Sequence, residues 1–100
     1  LDHGWKVWPH LRKTENLPSH YAKSFYYDSI VNDPVNVKFL VEKFGHEQVI
    51  MGSDYPFLLR ETPPGKIIDD TLSLTEGQKR AMLGENALRF LNIPVNLLIK

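Results

Sequence analysis

The chain has 100 residues, 42% hydrophobic and 24% charged, without a low-complexity run, a mixture that excludes wholesale disorder. Twelve basic residues balance twelve acidic ones, so no global field favours nucleic acid or an anionic membrane. Without cysteine there is neither a disulfide framework nor a thiolate zinc site, and no apolar run approaches the roughly 20 residues of a membrane span. A single small domain is expected, of marginal stability because it buries only about two thirds of its unfolded surface. A cytoplasmic location is expected, and the start at Leu1 reads as a fragment or processed domain.

Residues 1–24 hold two Trp, three His and two Pro without a clean period, which predicts a loop-rich lead-in with one short helix over 19–23. Phe25-Tyr26-Tyr27-Asp28-Ser29-Ile30-Val31 is aromatic and β-branched and predicts a buried strand that stops at Asn32-Asp33-Pro34. Asp33 then suits an N-cap and Pro34 the first helical position. Val37, Leu40, Val41 and Phe44 form one apolar stripe and Gly45 is a stop, so a helix is predicted over 34–44. Val49-Ile50-Met51-Gly52 predicts a second buried strand ending at Ser53-Asp54. Strand, helix and strand over 25–54 make a βαβ unit with parallel strands.

Pro56, Pro63, Pro64 and Gly65 place a loop over 55–74. Thr75 and Gln78 have capping-box spacing and open a helix to about residue 83. Gly84 is expected to break it, Asn86 to cap a further short helix through residue 91, and Pro94 to end it.

In parallel α/β folds functional groups gather at the carboxyl ends of strands. Asp54 stands at such an end, after Gly52, which permits close backbone approach, and before Pro56, which fixes the exit. Pattern alone leaves open whether its carboxylate binds a cation, takes a proton or caps a turn.

The run Met51-Gly52-Ser53-Asp54-Tyr55-Pro56-Phe57, with Glu61 and Pro64-Gly65 following, resembles the "GSDYPF…E…PG" segment of the aminocarboxymuconate semialdehyde decarboxylase-like family of amidohydrolase-related, metal-dependent enzymes. His3-Gly4-Trp5, Phe25 to Ser29, Asp33-Pro34, Gly84-Glu85-Asn86-Ala87 and Phe90-Leu91 match in the same order. The resemblance implies the C-terminal part of a (β/α)8 barrel, supplying its last two strands and their helices. It also implies that Asp54 is a zinc ligand that contacts the activated water, pointing into a pocket. Phe57 would line that pocket, and Trp5 is assigned with it to substrate binding.

This sequence departs from the family pattern in two places. Trp8 stands where the family usually has an Arg that holds a substrate carboxylate. Leu58-Leu59-Arg60-Glu61 replaces Pro-Leu-Gly-Glu, and Arg60 is assigned to substrate binding by bidentate pairing with a carboxylate, the alternatives being a solvated Arg or a partner for Glu61. The family's His ligands lie outside this sequence, and His3, His10, His20 and His46 lack His-x-His spacing. The chain is therefore expected to bind no metal alone, zinc belonging to the full-length enzyme. The function implied is decarboxylation of a small unsaturated or aromatic carboxylic acid by a homo-oligomer (dimer), with neither nucleic acid nor membrane expected as a partner. Two alternatives remain: a hydrolase or phenolic-acid decarboxylase on the same barrel, and a non-catalytic module that buries Val31, Val49 and Ile50 against a partner.

Overall fold

A computed structural model describes residues 1–94 and 96. Asp33 caps the helix that follows it, its carboxylate accepting from Val35 N–H at 2.8 Å. The lead-in carries helices α1 (Asp2–Val7) and α2 (Pro18–Ala22) with a 3-10 turn at Pro9–Leu11 between them. Strand β1 (Tyr27–Asp28), helix α3 (Pro34–Phe44) and strand β2 (Val49–Ile50) form the βαβ unit. Beyond the loop come α4 (Lys66–Asp69), α5 (Glu76–Arg80), a π turn at Ala81–Glu85, and α6 (Asn86–Leu91).

Helix α3 has the bounds its periodicity predicts. Pro34 occupies its first turn and Gly45 closes it at φ 90°, a left-handed value that glycine adopts without a Cβ penalty. Val37 faces inward and is fully buried. At the far end Phe44 stacks on Tyr27 with centroids 4.1 Å apart, which ties the helix to β1. The strands pair in parallel, Tyr27 opposite Val49 and Asp28 opposite Ile50.

Both strands are shorter than the sequence predicts. Regular pairing over 25–31 shrinks to Tyr27–Asp28, with Ser29 N–H adding one bond to Ile50 O at 3.0 Å. Phe25 lies outside and is exposed, so the aromatic run marks more than the paired strand. The lead-in is more helical than expected because α1 buries none of its residues, and a helix with no apolar stripe leaves no period to read. Helix α4 falls inside the predicted loop; its four residues are too few to show a period.

The C-terminal helices correct a further expectation. The capping box forms as predicted, Gln78 N–H donating to Thr75 Oγ1 at 3.1 Å and Thr75 N–H to Gln78 Oε1 at 2.9 Å. Gly84, however, breaks nothing. The helix widens into the π turn, in which Asn86 N–H reaches back to Ala81 O instead of Met82 O. Met82 O accepts from Met51 N–H at 3.1 Å, so the π turn hydrogen-bonds to the backbone just beyond β2. Asn86 is not a cap either: its side chain is fully buried and donates to His46 O at 2.6 Å and Val49 O at 2.8 Å.

The core comprises Val37, Val49, Ile67, Ile68, Leu74, Ala81 and Met82, gathered from α3, β2, α4, the following turn and the π turn. Val49, expected to be available to a partner in the interaction-module reading, is fully buried within the chain. The radius of gyration is 16.3 Å with extents of 53 × 30 × 28 Å. A self-contained domain of this length has a radius near 13 Å, so these elements do not close on themselves.

Two neighbouring substitutions check this account. A Cβ at Gly84 meets nothing within 4 Å, so Gly84→Ala in the full-length protein is expected to be neutral or stabilising by up to about 1 kcal/mol in urea denaturation. Asn86→Ala takes the side-chain donor from the buried Val49 carbonyl and one of two donors from His46 O, and is expected to cost roughly 1–3 kcal/mol in the same assay.

Candidate active site

Past β2 the backbone is fixed from both sides. Met51 N–H bonds to the π turn at 3.1 Å, and Gly52 N–H donates at 3.3 Å to the Oγ of the fully buried Ser29, the residue just past β1. Gly52 is required here. A Cβ at this position would collide with both oxygens of the Asp28 carboxylate, which lies over it while its Oδ1 accepts from Ile30 N–H at 2.7 Å. The glycine is thus explained by close approach, as its sequence position suggested, though the approaching group is a carboxylate.

Asp54 follows with φ 61°, a left-handed value that costs a non-glycine residue roughly 1–2 kcal/mol. Two successive turns follow, Phe57 N–H to Asp54 O at 3.0 Å and Arg60 N–H to Phe57 O at 3.1 Å; the Tyr55–Pro56 and Thr62–Pro63 bonds are cis. Glu61 N–H then returns to Ser53 O at 2.8 Å and closes the loop. The Glu61 carboxylate accepts from Gly65 N–H at 2.5 Å and Ile67 N–H at 3.0 Å, which fastens the loop to α4. Gly65 sits at φ 85°, where a Cβ would also press on Leu83 Cδ2 at 2.6 Å.

Asp54, Phe57 and Arg60 therefore share one loop, whereas Trp5 belongs to the lead-in. No described hydrogen bond joins Trp5 to that loop: its Nε1–H donates to Thr14 O at 3.3 Å and the Arg12 guanidinium covers its ring at 3.9 Å. Asp54 is exposed, as are Tyr55, Phe57, Leu58 and Leu59. The pocket expected around Asp54 is not built by the described residues, which raise no enclosing wall over it. Arg60 does not pair with Glu61; its Nη1 donates to Phe57 O at 3.2 Å and Pro56 O at 3.4 Å.

A shallow cleft of about 320 Å³ lies beside the loop, bordered by Asn32, Arg60, Thr62 and Lys66. Its cations are largely engaged locally. Asp70 hydrogen-bonds Lys66 and holds its ammonium above the ordinary lysine range. Among the described residues no group of three or more His, Asp or Glu is placed to hold a metal. Asp54 presents one hard oxygen donor, compatible with zinc, where a catalytic site uses about three protein ligands.

Sequence reasoning assigned no role to Ser29 or Asp28 and read Glu61 only as a motif position or a partner for Arg60. A signal for Asp28 was present in Gly52, whose missing side chain makes room for it. Glu61 carried a weaker one, standing just before a Pro-Gly turn whose N–H groups need acceptors.

The amidohydrolase family profile matches residues 1–93, and the chain belongs to that family. It is 39% identical over 98 residues to the 2-amino-3-carboxymuconate-6-semialdehyde decarboxylase of Dictyostelium discoideum, covering 96% of this chain and 27% of that protein. The protein of the same name from Caenorhabditis elegans is 32% identical over 100 residues, 98% of this chain and 25% of the relative. The chain thus spans about a quarter of the length of these curated relatives.

The approach of Asp28 to Gly52 can be measured directly. Gly52→Ala in the full-length protein is expected to cost roughly 1–3 kcal/mol, because Asp28 must give up its bond to Ile30. In an Asp28→Ala background most of that cost should vanish, as a double-mutant cycle in urea will read.

Proposed function

We propose that the chain is the C-terminal portion of a zinc-dependent decarboxylase built on a (β/α)8 barrel, inactive alone. Its substrate is an unsaturated or aromatic carboxylic acid, with 2-amino-3-carboxymuconate 6-semialdehyde the leading candidate. The observation that carries this reading is the placement of Asp54, on a fastened loop beyond a parallel strand, in a chain whose decarboxylase relatives match it nearly end to end. Strand, crossover helix and parallel strand form the repeating unit of such a barrel, whose chemistry lies at the carboxyl ends of its strands. The full-length protein is a cytoplasmic homodimer acting on a small molecule.

Zinc, when bound, supplies Lewis acidity and an activated water. Asp54 would help to hold it and could carry a proton on its carboxylate; the other ligands would come from outside this chain. Phe57 forms an apolar wall that excludes water, with Trp5 a second aromatic surface on the substrate side. Arg60 has only Nη1 engaged among the described residues, which leaves Nη2 and Nε for a substrate carboxylate. Loss of carbon dioxide breaks one carbon–carbon bond, and a proton takes its place.

Trp8 favours a second reading, in which an aromatic acid is the substrate of the same barrel. Trp8 is half exposed, at 53%, and offers an aromatic surface where the family usually places a cation. Incubating the full-length protein with the muconate semialdehyde and with phenolic acids, and measuring carbon dioxide and product, separates the two.

Asp54→Asn in the full-length protein is expected to lower kcat by about 10²–10⁴-fold and reduce zinc content, with the fold retained by circular dichroism. Unchanged turnover and zinc content would remove Asp54 from the site.

A further inference from the structure

We propose that Glu61 is the positioning residue of the site, setting where the Asp54 carboxylate stands; the metal-related part of this inference rests on the function proposed above. Asp54 holds a left-handed backbone, which is unfavourable for a non-glycine residue and is held by the turns around it. The contacts that close the loop converge on Glu61. Its N–H closes the loop onto Ser53 O at 2.8 Å, the residue directly before Asp54.

Its two carboxylate oxygens accept separately from Gly65 N–H at 2.5 Å and Ile67 N–H at 3.0 Å. Ile67 is buried, and Ile68 beside it fully so, which anchors this end of the loop in the core. Glu61 therefore connects the exposed acid to the best-packed part of the chain through three hydrogen bonds. Arg60, next to it, makes no pair with this carboxylate and donates to the carbonyls of Pro56 and Phe57.

A Glu at this position is specific in its chemistry. Gln keeps the length but replaces one acceptor oxygen with an amide donor, so it can serve only one of the two N–H groups. Ala serves neither.

The experiment compares wild type, Glu61→Gln and Glu61→Ala in the full-length protein. Hydrogen exchange is followed at the Phe57 and Arg60 amides, which close the two turns after Asp54. The Met51 and Ser29 amides, bonded within the fold, serve as internal controls. Zinc affinity and the separate values of kcat and KM are measured on the same samples.

Glu61→Ala is expected to speed exchange at Phe57 and Arg60 about tenfold or more while Met51 and Ser29 stay protected. Zinc affinity and kcat are expected to fall roughly 10–100-fold, with Glu61→Gln intermediate. Wild-type protection at Phe57 and Arg60 in Glu61→Ala overturns the proposal, as does equal loss at Met51 and Ser29, which marks a general structural role. If Glu61→Ala does not fold, Glu61→Gln decides by the same readings. Should the loop loosen as expected while the wild type neither binds zinc nor releases carbon dioxide, the proposed function falls and the clamp on Asp54 stands.

Discussion

The buried side chain of Asn86 donates to two carbonyls at the start of β2, to Val49 O and to His46 O, the latter also accepting from the Val49 N–H. An unpartnered buried carbonyl costs on the order of 1–3 kcal/mol. This amide, with the Arg89 guanidinium on Glu47 O, fastens the C-terminal helix against the start of β2. With the helix in place, the π turn presents Met82 O to Met51, and Ser29, just past β1, accepts from Gly52 N–H on the other side. The backbone entering the loop of Asp54 is thus set by contacts several residues before it.

Strong local signals in the sequence survived folding because tertiary contacts agree with them. Asp33, Pro34, the stripe from Val37 to Phe44 and Gly45 all specify one helix, and α3 has those bounds. The capping box of Thr75 and Gln78 is equally local. Gly84 misled because a glycine in a helix is a stop only when the chain needs a left-handed residue there, and this helix needed a wider turn instead. Asn86 misled for the opposite reason: a residue type favoured at caps was used for a partner 40 positions away.

The candidate site was legible as a loop and not as an arrangement. Asp54, Phe57 and Arg60 are close in sequence, so their sharing one segment follows from the text. What Arg60 and Glu61 bond to does not, since neighbours in sequence compete with backbone groups that only the folded turns bring within reach. Trp5 lies on the lead-in beneath Arg12, an association that no periodicity encodes. The parallel pairing of β1 and β2 agrees with the short strand–helix–strand spacing of the sequence.

The loop after Asp54 sets Tyr55, Phe57, Leu58 and Leu59 outward in close succession, with Leu58 at 96% exposure. Water gains nothing by wetting four large apolar side chains at one tip, and a surface of this kind is what chaperones and aggregating neighbours recognise. Expressed apart from whatever normally shelters this tip, the chain would be adhesive in solution, and polar replacements at Leu58 and Leu59 would be the first measure for keeping it dispersed.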